Sequence, residues 1–207
     1  MTGYRVVNLG ILIEELGEGA VKDILSSFSC PLNPDVESFI QSKAIDFAKQ
    51  GWAQTHLIFA SYINKWALVG YFSLASKHIT ITSKFLYKQS KTLRKRISRF
   101  ATYDSELRSY IMSAPLIAQL GKNYTKHYNT LITGDELLAE ACHKIGRIQF
   151  DLGGRFAYLE CEDKPKLLEF YSSNGFFEKT MLGLEPLHSG MFYTNKKSIK
   201  DADAPFD

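Results

Sequence analysis

The stretch that most constrains the fold lies between residues 115 and 177, because its pattern predicts a strand, a loop, a helix, a strand and a helix in that order. Residues 116–120 form an apolar run of the length of a buried strand. A polar loop over residues 121–132 follows. Thr133 and Glu136 then stand at the spacing of a capping box, which indicates the start of a helix.

The second half of this stretch repeats the alternation of strand and helix. Two glycines at positions 153–154 interrupt the chain before an apolar strand over residues 155–161. Asp163 is expected to cap a further helix, with Pro165 tolerated in its first turn. Gly175 ends that helix, because glycine takes the left-handed conformation at low cost.

The end of this stretch also carries a family resemblance. It reads Phe170-Tyr171-Ser172-Ser173-Asn174-Gly175-Phe176, after a strand that carries Leu159-Glu160. Together with the order of elements, this segment resembles the second half of a GNAT-superfamily N-acetyltransferase. The resemblance covers residues 116–177 and extends to the rest of the chain only by the order of elements. The loop departs from the family pattern, since no glycine stands between Gly121 and Gly134.

The first half of the chain predicts a strand, two helices and a hairpin. Residues 4–13 are apolar enough for the strand, and residues 19–28 suit a short helix. The next helix is the most clearly amphipathic, with one apolar face formed by Val36, Phe39, Ile40, Ala44 and Phe47. Residues 54–63 and 66–75 predict a hairpin that turns at Asn64-Lys65, and residues 78–82 extend its second strand.

Residues 84–100 predict one amphipathic helix with a basic stripe. Its apolar side carries Leu86, Leu93, Ile97 and Phe100. The opposite side carries Lys84, Lys88, Lys91, Lys95 and Arg99. A solvated surface helix explains this pattern, and so does an electrostatic contact with RNA or another anionic partner.

The order of elements predicts an α/β fold. We expect a GNAT-like mixed, largely antiparallel sheet with helices on both faces, in a single domain over residues 1–207. The basic helix would be an insertion at residues 84–100. Pro115 cannot donate to a sheet ladder, so the central strand is expected to start there or to carry a bulge. A last strand is expected over residues 190–195, followed by a frayed tail at 196–207.

The composition fits an ordinary soluble protein and excludes several classes. The chain has 207 residues and a net charge of +3, which is too small to indicate nucleic-acid binding by itself. Its three cysteines, Cys30, Cys142 and Cys161, have neither disulfide-framework nor metal-site spacing. Neither a signal peptide nor a membrane-spanning run is apparent, so we expect a cytoplasmic protein without metal or membrane.

The resemblance implies acetyl-CoA as cosubstrate and indicates where it would bind. The backbone from Gln119 through Leu120 to Gly121 would bond the pantetheine arm and polarise the thioester carbonyl. The pyrophosphate would lie on the start of the helix, where free N–H groups and the helix dipole favour anions. The residues assigned to it are Lys122, Asn129, Leu131, Ile132, Thr133 and Gly134, with Lys126 as a further cation. A plain strand end at Gly121 and a plain capped helix at Thr133 remain the alternatives.

The resemblance also implies Tyr171 as the general acid, because the leaving thiolate needs a proton and a phenol is protonated at neutral pH. A core tyrosine is the alternative. For the base we consider Glu160, which shares a strand face with Phe156 and Tyr158, and whose pKa burial would raise. The alternatives are that Glu160 is an ordinary strand-end carboxylate and that a chain of water molecules serves as the base. Cys161 points the other way and suits the core.

Three functions remain open from the sequence. The first is acetyl-CoA-dependent N-acetylation of a small-molecule or peptide amine by direct attack. The second is a toxin-like acetyltransferase acting on charged tRNA, which the basic stripe favours. The third is a non-catalytic module that binds CoA or nucleic acid, which the glycine-poor loop favours. A homodimer is left open as well.

Overall fold

The computed structural model describes residues 3–179 and 188–194, and the chain packs as two compact units. The first unit comprises Met1–Ala75 and Ile117–His143, and the second comprises Ser76–Leu116 and Lys144–Asp207. The single domain expected from the sequence stays a prediction.

Strands and helices alternate along the chain. The strands of the described residues are β1 (Tyr4–Asn8), β2 (Gln54–Tyr62), β3 (Lys65–Thr82), β4 (Thr102–Asp104), β5 (Ser109–Lys122), β6 (Phe156–Glu162), β7 (Phe176–Lys179) and β8 (His188–Thr194). The α-helices are α1 (Leu9–Leu16), α2 (Glu18–Ser26), α3 (Pro34–Ser38), α4 (Ala44–Lys49), α5 (Ser83–Tyr87), α6 (Lys91–Phe100), α7 (Gly134–Leu152) and α8 (Pro165–Ser173). This confirms the predicted α/β class with a mostly antiparallel sheet and flanking helices. None of the described helices combines the length and the apolar character needed to cross a membrane.

The first unit packs helices against an antiparallel hairpin. Its strands follow the order β1-β2-β3-β5, and β2 pairs antiparallel with both β1 and β3. Helices α3 and α4 are joined by a π-helical segment, Phe39–Lys43, and the predicted apolar face packs into the core. Tyr71 on β3 is fully buried there, and its hydroxyl donates to the carbonyl of Val36 at 2.7 Å.

The second unit has its own core beneath the two basic helices. Its strands follow the order β3-β5-β6-β8-β7, and β4 pairs with β5. Leu86 of α5 and Ile97 of α6 are buried against Met112 on β5 and against Phe156 and Tyr158 on β6. Leu86, Leu93 and Ile97 of the predicted apolar side therefore pack as the periodicity indicates, whereas Phe100 is 44% exposed.

Two predictions in the first unit were wrong in their bounds. The first strand ends at Asn8, because the Asn8 side chain accepts hydrogen bonds from the N–H groups of Gly10 and Ile11 and starts a helix there. The hairpin turns one residue earlier than expected, since Ile63 and Asn64 both have positive φ, at 48° and 59°.

Four predictions after residue 83 also need correction. The predicted helix over residues 84–100 is two helices, because the Ser90 side chain caps a new helix by accepting from the N–H of Leu93. Strand β5 begins at Ser109, where it pairs with β4, so the expected start at Pro115 is wrong, and the alternative of a bulge at Pro115 stays a prediction. Asp163 does not cap α8. The cap position is Lys164, Pro165 follows it, and no side chain forms a capping hydrogen bond there.

The last strand was expected over residues 190–195 and is His188–Thr194. The predicted frayed tail at 196–207 lies outside the described residues.

Candidate active site

The end of β5 is tightly packed within the first unit. A Cβ atom added at Gly121 would lie only 2.3 Å from Cγ1 of Val36, and it would also contact the rings of Tyr71 and Phe28. Only glycine fits that space, so Gly121 is required by the packing of α3. Whether it also makes room for a cosubstrate stays a prediction, as do the roles of the half-buried Gln119 and Leu120.

The loop after β5 is anchored by two polar side chains. Lys122 donates from Nζ to the carbonyl of Ile132 at 2.9 Å, which ties the start of the loop to its end. Asn123 is fully buried, and its Oδ1 accepts from the N–H groups of Ser29 and Thr125, both at 3.0 Å. The Lys122 amine is therefore engaged with the protein itself, and a phosphate contact would compete with this bond.

The middle of the loop exposes a basic turn. Thr125–Thr130 forms a 3-10 segment in which Lys126 and His127 have positive φ values of 50° and 62°. Consecutive left-handed residues other than glycine are uncommon and persist only where the surrounding structure holds them. Both side chains are exposed, and Asn129 is half-buried. This turn offers positive charge and polar groups to an anion from solvent.

Helix α7 starts with the capping box predicted from the sequence. The N–H of Thr133 donates to Oε2 of Glu136 at 2.8 Å, and the N–H of Glu136 donates to Oγ1 of Thr133 at 3.1 Å. The Thr133 N–H, followed by the Thr133 hydroxyl, lowers the pKa of the Glu136 carboxyl. A carboxylate of the chain itself thus occupies the helix end that attracts anions.

Only some of the residues assigned to acetyl-CoA are exposed enough to contact it. Lys126 and Thr133 are exposed, whereas Ile132 is only 1% exposed and can offer little more than its backbone. Gly134 is half-buried at the first position of α7. The basic turn suits a diphosphate, and the helix cap holds the Glu136 carboxylate that a diphosphate must displace.

Tyr171 lies half-buried in the second unit, on the inner side of α8. Its ring makes edge contacts with Phe170 and Phe176, with centroid distances of 5.0 and 5.8 Å. Burial, followed by the charge of Cys161, raises the pKa of the Tyr171 phenol well above its ordinary range. In the part of the chain that the structure describes, its hydroxyl has no hydrogen-bond partner. Tyr171 therefore carries its proton at neutral pH, as a general acid must, while the raised pKa also makes the phenol a weaker acid.

Glu160, at the end of β6, belongs to a small polar cluster in the second unit. Its Oε1 forms an ion pair with Nζ of Lys77 on β3 and accepts a hydrogen bond from the hydroxyl of Tyr158 at 3.1 Å. The Lys77 ammonium also lies over the Tyr158 ring, 5.4 Å from its centroid. The Glu160 side chain is 30% exposed, so the cluster reaches solvent. No hydrogen bond joins Glu160 to Tyr171 in the described residues.

The sequence pattern predicted Glu160 but missed its partners. Lys77 gives no signal of this role, because the alternation of its strand puts it on the same face as the buried Ile79 and Ile81, which by itself indicates packing and not a partner for a carboxylate. Tyr158 reads as a core residue, and only the fold shows that its hydroxyl reaches Glu160. Among residues 3–179 and 188–194, no group of three or more potential ligands is placed to hold a metal ion.

The basic stripe lies on the surface of the second unit. Its five residues, Lys84, Lys88, Lys91, Lys95 and Arg99, are all exposed. Residues 83–100 contain no acidic residue. The α5–α6 segment is therefore a surface of uncompensated local positive charge.

Comparison with solved structures shows what fold this is. KacT, in a tyrosine-to-phenylalanine mutant, matches with a TM-score of 0.61 at 15% identity, over 93% of this chain and 95% of KacT. AtaTR bound with acetyl-CoA matches with a TM-score of 0.57 at 14% identity, over 94% of each chain. AtaT complexed with acetyl-methionyl-tRNAfMet matches with a TM-score of 0.59 at 16% identity, over 82% of this chain and 86% of AtaT.

AtaT and KacT are toxins with the GNAT acetyltransferase fold, so the resemblance predicted from residues 116–177 is confirmed at the level of the fold. No family model matches the sequence, and no curated protein does. The fold is thus shared at an identity too low to carry over individual residues.

Proposed function

We propose that this protein is an acetyl-CoA-dependent N-acetyltransferase. The observation that carries the proposal is the match to AtaTR bound with acetyl-CoA over 94% of both chains. The half-buried Tyr171, which is protonated at neutral pH, supports it from the chemistry of the chain itself.

For the acceptor, we propose the amino group of a charged tRNA in preference to a small-molecule or peptide amine. Two observations support this choice. One is the likeness to AtaT complexed with acetyl-methionyl-tRNAfMet. The other is the exposed cation surface of α5 and α6, which suits a polyanion. The small amine, in contrast, would need no such surface.

The reaction is a direct transfer. The free amine attacks the thioester carbonyl, the tetrahedral intermediate collapses to an amide, and the thiolate of CoA leaves. Tyr171 gives its phenolic proton to that thiolate. Glu160 takes the proton that the attacking amine loses, with Lys77 and Tyr158 holding its carboxylate in place. Both assignments are proposals that mutation tests.

For the cosubstrate, we propose the end of β5 and the following loop. The backbone of Gln119, Leu120 and Gly121 would bond the pantetheine arm. The diphosphate would lie against the basic turn and the start of α7, along Asn129, Leu131, Ile132, Thr133 and Gly134, with Lys122 and Lys126 supplying positive charge. Glu136 opposes this binding, because it places a carboxylate at the same helix end.

Glu136 also favours a second candidate function, a non-catalytic module of the same fold. A Glu136 carboxylate at the start of α7 would weaken cosubstrate binding. A protein without catalytic activity would tolerate that weaker binding. Turnover separates the two candidates, because only the enzyme releases free CoA in the presence of an acceptor amine.

The proposal is tested first by cosubstrate binding. Acetyl-CoA at about a hundredfold its dissociation constant should stabilise the folded protein by about 2.7 kcal/mol and raise its melting temperature. Acetyl phosphate, which lacks the nucleotide and pantetheine, is the control and should leave the melting temperature unchanged. Absence of a shift, together with no heat of binding in calorimetry at millimolar acetyl-CoA, would contradict the acetyltransferase function.

A further inference from the structure

A pocket opens on the surface of the second unit, next to helices α5 and α6. Its volume is about 290 Å³. Its walls include Leu86, Tyr87, Lys91, Arg94, Lys95 and Tyr110. Three of these side chains are cations, and none of the residues that line the pocket is acidic. The pocket therefore suits an anionic ligand, and its size lies near the lower end of about 300–1,000 Å³ for small-ligand sites.

Two tyrosines give the pocket an aromatic character as well. Tyr87 is 72% exposed, so its ring does not serve the core. The guanidinium of Arg94 lies over that ring, 6.0 Å from its centroid, which orients both groups. Tyr110 packs against the second-unit core and against the ring of Tyr103, with centroids 5.0 Å apart. An exposed ring beside a planar cation is an arrangement on which unpaired bases stack.

We infer that this pocket binds one unpaired nucleotide of an RNA. The base stacks on Tyr87 beside Arg94, and the flanking phosphates contact Lys91 and Lys95. The inference rests on the proposed function in one respect, since a charged tRNA is the RNA that the enzyme would meet. It adds to that function a place where a single-stranded part of the RNA is held.

The choice of an unpaired nucleotide follows from the two kinds of group in the pocket. An acidic polypeptide would use the cations but would make no use of the exposed Tyr87 ring. A fully paired duplex presents phosphates, but its bases are stacked inside the helix and cannot reach the ring. Of these three partners, only a single-stranded segment offers phosphates and a free base face together.

The test is binding of a fluorescently labelled single-stranded RNA oligonucleotide to the full-length protein at several salt concentrations, without acetyl-CoA. Tyr87→Ala should weaken binding about 5- to 150-fold, the range for loss of one stacked base, without changing the salt dependence. Lys91→Ala with Lys95→Ala should lower the slope of log affinity against log salt by about 1.4, at about 0.7 for each phosphate of a single strand. Because Tyr87, Lys91 and Lys95 are exposed, these variants should fold like the wild type.

The matched control removes the same charge outside the pocket. Lys84→Ala with Lys88→Ala removes two exposed lysines of the same segment that do not line the pocket, and it should weaken binding less than the Lys91/Lys95 pair. Equal losses in the two pairs, or wild-type binding by the Tyr87→Ala variant, would overturn the inference. So would a labelled polyglutamate that binds more tightly than the RNA, since that result favours an acidic protein partner.

The outcome is separate from that of the acetylation assays. If the protein transfers no acetyl group but binds RNA in a Tyr87-dependent way, the RNA pocket is supported and the proposed acetyltransferase function is contradicted. If the protein is an active acetyltransferase but its RNA binding does not depend on Tyr87, the proposed function is supported and the RNA pocket is contradicted.

Discussion

Glu136 is the single residue that most affects how the proposed cosubstrate site works. Its carboxylate accepts the Thr133 N–H at 2.8 Å, at the helix end where a diphosphate would otherwise find free donors. The nearest loop cation, Lys122, is bonded to the Ile132 carbonyl. The loop is thus held by bonds among its own groups, and acetyl-CoA, if it binds as proposed, competes with them.

Glu136→Gln tests this competition. Glutamine keeps the capping box, because its amide oxygen can still accept the Thr133 N–H, while the negative charge is lost. We expect acetyl-CoA to bind about 3- to 10-fold more tightly, the order of one like-charge repulsion removed near the surface. Isothermal calorimetry measures the change.

Acetyl-pantetheine, which lacks the diphosphate, is the control for that variant. Its affinity should be the same for Glu136→Gln and the wild type. A gain shared by both thioesters, or no gain for acetyl-CoA, would show that Glu136 does not face the diphosphate.

At the scale of elements, β5 and α7 both hold the core and carry residues of the proposed cosubstrate site. Gly121 shows this most clearly, since it lets α3 approach the strand so closely that Val36 lies where a Cβ would stand. The sequence shows a glycine at a strand end, and only the packed structure shows why it is needed there. The proposed pantetheine contact thus uses a strand whose position α3 fixes.

Gly121→Ala should destabilise the protein by about 1–3 kcal/mol, the usual cost of overpacking a core. Val36→Ala removes the group that the new methyl would meet. The double variant should therefore lose less stability than the sum of the two single variants, with a coupling of about 0.5–3 kcal/mol. Urea denaturation measures all three. Strict additivity would mean that the strand moves away from Val36 instead of clashing with it.

The basic helices show what periodicity can and cannot predict. The burial of Leu86 and Ile97 follows from their spacing alone. The break at Ser90 does not, because serine is tolerated within helices and only its bond to the Leu93 N–H marks a new start. The break also puts Tyr87 on a separate short helix beside α6, where Arg94 meets its ring.

For the whole molecule, the sequence predicted the class of fold because one stretch carried most of the information. The motif around Tyr171, the capping box at Thr133 and the glycines at 153–154 are local signals, and local structure follows them. The first strand was too long by five residues, since the capping bond of Asn8 competes with an apolar pattern that suits either structure. Of the two partners of Glu160, Tyr158 is its neighbour on the same strand face, whereas Lys77 lies on another strand, far away in sequence, which no local pattern reveals.

Under the proposed function, Tyr171 protonates the leaving thiolate in acetyl transfer to a charged tRNA. The direct measurement is single-turnover transfer of labelled acetyl from acetyl-CoA to aminoacyl-tRNA by wild type and Tyr171→Phe, with Tyr62→Phe on β2 as the matched control. The Tyr171 hydroxyl has no hydrogen-bond partner in the described residues, so the Phe variant should melt close to the wild type and still bind acetyl-CoA.

We predict transfer by the wild type and by Tyr62→Phe, and a loss of about 10²–10⁴-fold in the chemical step for Tyr171→Phe. Because burial raises the pKa of Tyr171, the wild-type rate should not fall as the pH passes the ordinary tyrosine value of about 10. A folded Tyr171→Phe variant that transfers acetyl at the wild-type rate, or a wild type that transfers none, would contradict the claim.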